Sequence, residues 1–171
     1  ENAMRTRHVL MSMLAALSCL LAAAFVAGPA QAVGPRSVGH VPTAPAHVLT
    51  APPRPASAGL GAMTTAAVAP QISPSVDYTY VSAGATYTCF SGTLCTLVWD
   101  PTHGKYKAFR LYICTTYSLS YWHDTGNFYD AQTGGVRSYF YDQSHNVLRS
   151  FTPPQYNVPQ NWDAVWYIKN C

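Results

Sequence analysis

The second half of the chain alternates apolar and polar residues with a period of two, the pattern of short β-strands that turn one face toward a core. In residues 106–113, Phe109, Leu111 and Ile113 fall on one face, and tyrosine and arginine fall on the other. The same alternation, together with β-branched and aromatic residues, predicts further strands at 78–81, 94–99, 136–142, 146–151 and 164–169.

Clusters of turn-forming residues separate these segments. They lie at 100–104, 124–127, 133–135, 144–146 and 153–154. No segment of this half has the 3.6-residue period of an amphipathic helix. The predicted fold class is therefore all-β, a small sandwich whose strand spacing indicates Greek-key connections.

The N-terminal residues have the pattern of a signal peptide. Arg5 and Arg7 precede an apolar run at 9–26, which Gly28-Pro29 breaks, and the small residues of Ala30-Gln31-Ala32 follow. An uncleaved membrane anchor is the alternative, since the run is just long enough to span a bilayer. The helix breaker next to a cleavage site favours removal of 1–32, with Met4 as the start and 1–3 extraneous. We therefore expect a secreted, extracellular protein that has left the membrane.

A proline- and alanine-rich tract follows the leader. Residues 33–74 contain eight prolines and no acidic residue, and their apolar residues show no sustained period. Such a composition predicts a disordered or extended segment, either a spacer or a pro-segment. A strap that becomes ordered along a partner's groove is the alternative. The folded domain is predicted to cover 75–171.

Four cysteines remain once the leader and its Cys19 are removed, and an even number in a small exported domain indicates two disulfides. Three pairings can be drawn. We expect Cys89–Cys95 to close a short loop and Cys114–Cys171 to tie the last residue to the middle of the domain. By loop entropy the longer bridge contributes about 4 kcal/mol and the shorter about half of that.

Charge and side-chain chemistry narrow the functional classes. Residues 75–171 contain six Lys/Arg and six Asp, so no basic footprint points to nucleic acid. Glu1 is the only glutamate, and the six aspartates are scattered, several of them in turns where they cap the backbone. No serine lies in a nucleophile-elbow sequence. We expect a protein that is not an enzyme and uses no cofactor.

Three motifs carry a resemblance to a known family. They are Cys-Phe-Ser-Gly-Thr-Leu-Cys at 89–95 with a strand and a turn at Gly104, Asp-Ala-Gln-Thr-Gly-Gly at 130–135, and the closing 161–171. Over about Cys89 to Cys171 the chain resembles the secreted actinobacterial proteins of peptidase inhibitor family I36, which are similar to βγ-crystallins. The resemblance implies two stacked Greek keys and inhibition of an extracellular protease.

The chain departs from the βγ-crystallin pattern at the calcium sites. Those sites use two adjacent Asn or Asp residues and a Ser/Thr pair, which supply hard oxygen ligands. Here Trp162 separates Asn161 from Asp163, and Val165-Trp166 replace the hydroxyl pair. We therefore predict no metal site.

The remaining chemistry is that of a surface. The domain carries 21 aromatic residues in 97, which exceeds the need of so small a core. Tyrosine with interspersed arginine is typical of protein-binding hot spots, although tyrosine also simply covers sheets. The predicted partner-binding residues are Tyr106, Arg110, Tyr112, Arg137, Tyr139 and Tyr141.

Three functions fit these features. The first is a non-catalytic protein-binding domain, with an extracellular protease as its first partner. The second is an adaptor or structural subunit of a secreted multi-protein assembly, such as an antibacterial toxin particle, docked through 33–74. The third is a carbohydrate-binding module, since exposed aromatic rings also stack on sugars.

Overall fold

The computed structural model describes residues 45–59 and 67–171. Twelve antiparallel strands and one 3₁₀ turn make up this part, which contains no α-helix, so the all-β prediction is confirmed. Within the same ranges, no helix has the length and apolar content needed to cross a membrane. The predicted leader, 1–32, and residues 33–44 and 60–66 of the tract lie outside the described residues.

The strands follow one another in short segments. They are β1 Ala46–Thr50, β2 Gln71–Ser73, β3 Tyr78–Val81, β4 Thr86–Phe90, β5 Leu94–Asp100, β6 Lys105–Leu111, β7 Thr116–Ser120, β8 Thr125–Asp130, β9 Ser138–Tyr141, β10 Val147–Phe151, β11 Gln155–Asn161 and β12 Tyr167–Lys169. The 3₁₀ turn is Ala56–Gly59. Residues 125–127, part of a predicted turn at 124–127, instead begin β8, because they pair with 159–161 of β11.

The strands form three layers. A central sheet has the order β11-β8-β5-β6-β3, and an open sheet has the order β10-β9-β12-β7-β2. The third layer, the cover ribbon, is the pair β1-β4.

The connections follow the same path twice. β5 and β6 form a hairpin in the central sheet, β7 crosses to the open sheet, and β8 returns beside β5. Likewise β9 and β10 form a hairpin in the open sheet, β11 crosses to the central sheet, and β12 returns beside β9. Each crossing strand thereby joins the sheet that holds the other hairpin: β7 lies in the sheet of β9 and β10, and β11 lies in the sheet of β5 and β6.

An aromatic core fills the space between the central and open sheets. Phe128 of the central sheet meets Phe140 of the open sheet edge to face, with ring centroids 5.1 Å apart. Trp122 and Trp162, which precede the two returning strands, are also 5.1 Å apart and nearly perpendicular. Edge-to-face pairs add to the free energy gained by burying the rings. This core joins the two sheets.

A second core lies on the opposite face of the central sheet, beneath the cover ribbon. Tyr87 and Cys89 of β4 pack there against Leu97, Trp99 and other residues of the central sheet. All seven residues of β5 are consequently buried. The central sheet has no solvent-facing side along this strand, whereas the open sheet keeps one.

Two segments of the proline-rich tract pair as strands with the rest of the domain. β1 pairs with β4 over 46–50, and β2 pairs with β7 over 71–73. Ala51 is 2% exposed, and Tyr106 donates a hydrogen bond of 2.7 Å to the carbonyl of Pro53. These two segments are ordered because strands of the domain pair with them, so strand pairing begins before residue 75.

The predicted disulfide pairing is confirmed. Cys89–Cys95 and Cys114–Cys171 are bonded, with Cα atoms 6.0 Å and 5.3 Å apart. Disulfides persist in oxidising compartments, so the protein belongs in one.

Candidate functional site

The solvent side of the open sheet carries a row of tyrosines. Tyr139 and Tyr141 of β9 point outward because Phe140 between them points into the core. Tyr167 and Lys169 of β12 do the same on either side of Ile168. The register places Tyr139 opposite Lys169 and Tyr141 opposite Tyr167. We call Tyr139, Tyr141, Tyr167 and Lys169 the tyrosine face.

The side chains of the tyrosine face are held against one another. The rings of Tyr139 and Tyr141 are stacked, with centroids 5.8 Å apart and planes 18° apart. Nζ of Lys169 lies 5.8 Å from the Tyr139 centroid, and the ring of His145 stacks on Tyr167 at 4.1 Å. These contacts leave each of the four residues half-buried. A ligand would therefore meet rings that are already ordered.

The turn after β9 fixes His145 over the tyrosine face. The Asp142 carboxylate accepts hydrogen bonds from Asn146 Nδ2 at 2.9 Å and from the backbone N–H groups of Asn146 and Ser144 at 2.8 Å. The Asn146 bonds are the main cause that holds the pKa of Asp142 below its ordinary value. His145 itself has a φ of 62°, which directs its ring back onto Tyr167.

One end of the tyrosine face is bordered by the loop between β6 and β7. Tyr112 and Ile113 in this loop are 58% and 48% exposed. The Ile113 carbonyl accepts hydrogen bonds from the Tyr117 hydroxyl at 3.2 Å and from Asn170 Nδ2 at 3.3 Å. With the disulfide at Cys114, these bonds hold the two apolar side chains outward beside the Lys169 end of β12.

The other end of the open sheet holds a cleft of about 340 Å³. Its walls come from the end of β7 with the loop after it, and from the turn that leads into β12. Its lining residues are Leu119, Ser120, Tyr121, Trp122, His123, Asp163, Val165 and Trp166. The cleft thus combines an apolar floor with aromatic and polar walls.

Two hydrogen bonds donated by backbone N–H groups join the walls of the cleft. The N–H of Asp124 donates to the Asp163 carboxylate at 3.0 Å, and the N–H of Trp162 donates to the Asp124 carbonyl at 2.9 Å. Below them, Trp122 stacks on Phe109 at 5.1 Å and donates from Nε1 to the Gln71 carbonyl at 2.7 Å. The cleft is therefore preformed.

The predicted partner-binding residues do not all lie on one surface. Arg137, Tyr139 and Tyr141 come together on the outer side of the open sheet, where Arg137 donates to Ser150 Oγ at 3.3 Å. Tyr112 is exposed at the border of that side.

Tyr106 is not part of any surface. It is fully buried, and burial is the main cause that raises its pKa to about 12. The alternation along β6 correctly assigns Tyr106 and Phe109 to opposite faces of the central sheet. The cover ribbon, however, packs over the face that carries Tyr106. Arg110, on that same face, is half-buried, with its guanidinium 5.7 Å from the Phe90 ring. Tyr106 therefore leaves the predicted binding set, whereas the assignment of Arg110 stays a prediction.

Four surface residues were missed by sequence reasoning. Tyr167 and Lys169 lie in a predicted strand, and their alternation with Ile168 could have identified them. Trp166 is 43% exposed because it lies in the connection that leads into β12. Tyr121 is 53% exposed and has a φ of 63°, which no strand pattern signals.

A separate cluster of titratable groups closes the turn after β5. The Asp100 carboxylate accepts hydrogen bonds from the Thr102 hydroxyl and N–H and from the Tyr80 hydroxyl. Burial alone would raise the pKa of Asp100, but these hydrogen bonds outweigh it and lower the pKa. Nδ1 of His103 lies 3.2 Å from the same carboxylate. The cluster caps a turn and stands apart from the tyrosine face.

The described ranges contain no group of three His, Cys, Asp or Glu side chains placed to hold a metal ion. Comparison with protein families, with curated proteins and with solved structures finds no match to this chain. The site is therefore interpreted from its own geometry.

Proposed function

We propose that the protein is a secreted, non-catalytic β-domain that binds another extracellular protein through its tyrosine face. The observation that carries the proposal is the ordered row of Tyr139, Tyr141 and Tyr167 on the open sheet. Tyrosine dominates binding hot spots because its ring offers a large contact area and its hydroxyl a hydrogen bond. Rings that are already stacked lose little conformational entropy on binding.

An extracellular protease is the first partner to test. The resemblance to the I36 inhibitors suggests it, and the twice-repeated path of hairpin, crossing strand and returning strand supports the Greek keys that this resemblance implies. Secretion is supported by the leader pattern in the sequence and by the two disulfides. Tyr112 and Ile113, exposed on a tethered loop at the border of the face, would widen the contact.

The test is an inhibition assay with the purified protein against serine and metalloproteases of the subtilisin, trypsin and thermolysin types. We expect one class to be inhibited at micromolar concentration. The double variant Tyr139→Ala/Tyr141→Ala should weaken this inhibition on the order of thirtyfold, as expected for a lost hot spot of about 2 kcal/mol. Tyr156→Ala is the matched control, since Tyr156 is 65% exposed on β11 of the central sheet.

The outcomes test the identity of the partner and the location of the binding surface separately. A panel that stays uninhibited would reject the protease as partner. Inhibition that is equally strong in the double variant would reject the tyrosine face, provided that both variants keep the thermal stability of the parent.

The adaptor role needs a different experiment. Because β1 and β2 are strands of the domain, deleting all of 33–74 would damage the fold. Removing 33–44 alone is the cleaner test, followed by size-exclusion chromatography and mass spectrometry of co-eluting proteins. Loss of partners that the intact chain retains would favour the adaptor over the free inhibitor.

A further inference from the structure

The cleft at the end of the open sheet has the lining of a sugar site. Tyr121 and Trp166 are 53% and 43% exposed within it. The polar groups beside them are the Ser120 hydroxyl, the His123 imidazole and the Asp163 carboxylate. Aromatic faces with a few fixed hydrogen-bonding groups match a pyranose, which has apolar C–H faces and a rim of hydroxyls. We propose that this cleft binds a neutral saccharide, as a second site next to the tyrosine face.

The Asp163 carboxylate of the cleft is held by a hydrogen bond but still open to solvent. Asp163 and His123 are 56% and 71% exposed, with His123 Nδ1 3.5 Å from Asp163 Oδ1. The Asp124 N–H holds that same oxygen at 3.0 Å, so the carboxylate keeps its position without being covered. Such a carboxylate can accept hydrogen bonds from vicinal sugar hydroxyls, and charge-assisted bonds of this kind are the stronger ones.

The backbone presents Tyr121 to the solvent at an energetic cost. Its φ of 63° is a left-handed conformation that is unfavourable for a residue other than glycine. Asp124, three residues later, has a φ of 65°. Strained residues persist where the surrounding structure fixes them, and here the anchored Trp122 lies between the two. The result is an exposed ring held at the mouth of a preformed cleft.

The surroundings of the cleft disfavour other ligands. β7 is paired on both sides, with β12 and with β2, so a peptide cannot add to it as a strand. The lining residues include one carboxylate and no lysine or arginine, which disfavours phosphates and acidic sugars. A neutral pyranose can stack on Trp166 or Tyr121 and donate a hydrogen bond to Asp163. It would thereby use both the aromatic and the polar groups of the lining.

Trp166 provides a built-in reporter for the test. Trp99, Trp122 and Trp162 are at most 4% exposed, so a ligand that enters the cleft should alter the fluorescence of Trp166 above all. The probes are cellotetraose and N-acetylchitotetraose, whose rings carry equatorial substituents and flat C–H faces, with tetragalacturonate as the acidic counterpart. We expect a saturable fluorescence change and calorimetric heat with at least one neutral probe, with a Kd on the order of millimolar.

Variants locate the site independently of the tyrosine face. Trp166→Ala and Tyr121→Ala should each weaken binding roughly tenfold in calorimetry. Tyr156→Ala and Tyr139→Ala/Tyr141→Ala should leave it unchanged. The proposal is overturned if neither neutral probe binds at about 10 mM, if tetragalacturonate binds as well as they do, or if Trp166→Ala has no effect. Protease inhibition without sugar binding would leave the proposed function standing and reject only this site.

Discussion

The indole Nε1 of Trp162 donates a hydrogen bond of 2.8 Å to the carbonyl oxygen of Leu97, deep between the two sheets. Leu97 is the last residue of β5 that pairs with β8. The indole thus supplies a donor to the central sheet at the point where that ladder ends. The same tryptophan contacts Trp122 and Phe140, so one side chain joins β5, β9 and the base of the cleft.

Gly126 makes room for this hydrogen bond. A Cβ at residue 126 would overlap the Leu97 carbonyl oxygen and lie 2.7 Å from Trp162 Nε1. We predict that Gly126→Ala destabilises the domain by roughly 3 kcal/mol or more, through overpacking and the lost hydrogen bond. Gly134→Ala is the control, since that site is open and only its φ of 82° is strained. Urea unfolding of both variants checks the prediction, and equal stabilities would contradict it.

The two disulfides should differ in their contribution to stability. Cys114–Cys171 closes a separation of 57 residues and Cys89–Cys95 one of 6. Loop entropy then predicts losses of about 4 and about 2 kcal/mol when each pair is replaced by serine. Urea midpoints of the two double variants measure the difference. A larger loss from the short loop would show that packing of Cys89 in the core beneath the ribbon outweighs chain entropy.

The ionised carboxylate of Asp130 should lower the free energy of unfolding at neutral pH. It is fully buried, and burial is the main cause that raises its pKa above 3.8. Above its folded pKa the ionised carboxylate therefore costs stability, and this cost disappears as the pH falls toward the unfolded value. We predict that Asp130→Asn, measured against the parent by urea unfolding, gains relative stability between pH 4 and pH 7.

Asp142 provides the control of opposite sign. Its pKa is lowered by Asn146, so its ionised form stabilises the fold above the unfolded value, and that stability is lost as the pH falls through the folded pKa. Asp142→Asn should therefore lower the melting temperature at pH 7 and converge with the parent in acid. Parallel pH curves for the parent and both variants would contradict the two assignments.

The contact between Tyr106 and Pro53 should control how firmly the N-terminal segment lies on the domain. The Tyr106 hydroxyl donates to the Pro53 carbonyl at 2.7 Å from within the core. Tyr106→Phe leaves that carbonyl without this donor, and we expect a loss of about 1 kcal/mol. Hydrogen exchange of the β1 amides should accelerate, while Tyr112→Phe, on an exposed residue, should leave it unchanged. Unchanged exchange in Tyr106→Phe would show that β1 is held by its pairing with β4 alone.

Much of the fold could be predicted because local alternation determines it. β3, β5, β6, β9, β10 and β12 agree with predicted strands within a few residues. β8 and β11 were missed because their residues resemble turns: β8 begins Thr-Gly-Asn, and β11 contains Pro159. These segments are strands because distant partners pair with them, and a single sequence does not show such pairing.

The binding surface could be predicted only in part, for a similar reason. Alternation assigns a residue to a face, but it does not say what covers that face. Tyr139 and Tyr106 have similar local patterns, and the cover ribbon alone separates a half-exposed tyrosine from a fully buried one. The cleft depends on the meeting of two loops some 40 residues apart, joined by the Asp124–Asp163 hydrogen bond. No local pattern predicts that meeting.

The cover ribbon also makes the two outer sides of the domain different. β1 lies behind the central sheet, and the tyrosines lie on the far side of the open sheet. A tether joined to the chain upstream of residue 45 would therefore attach to the domain on the cover-ribbon side, away from the tyrosine face. A copy tethered in this way would leave the tyrosine face open to molecules in solution.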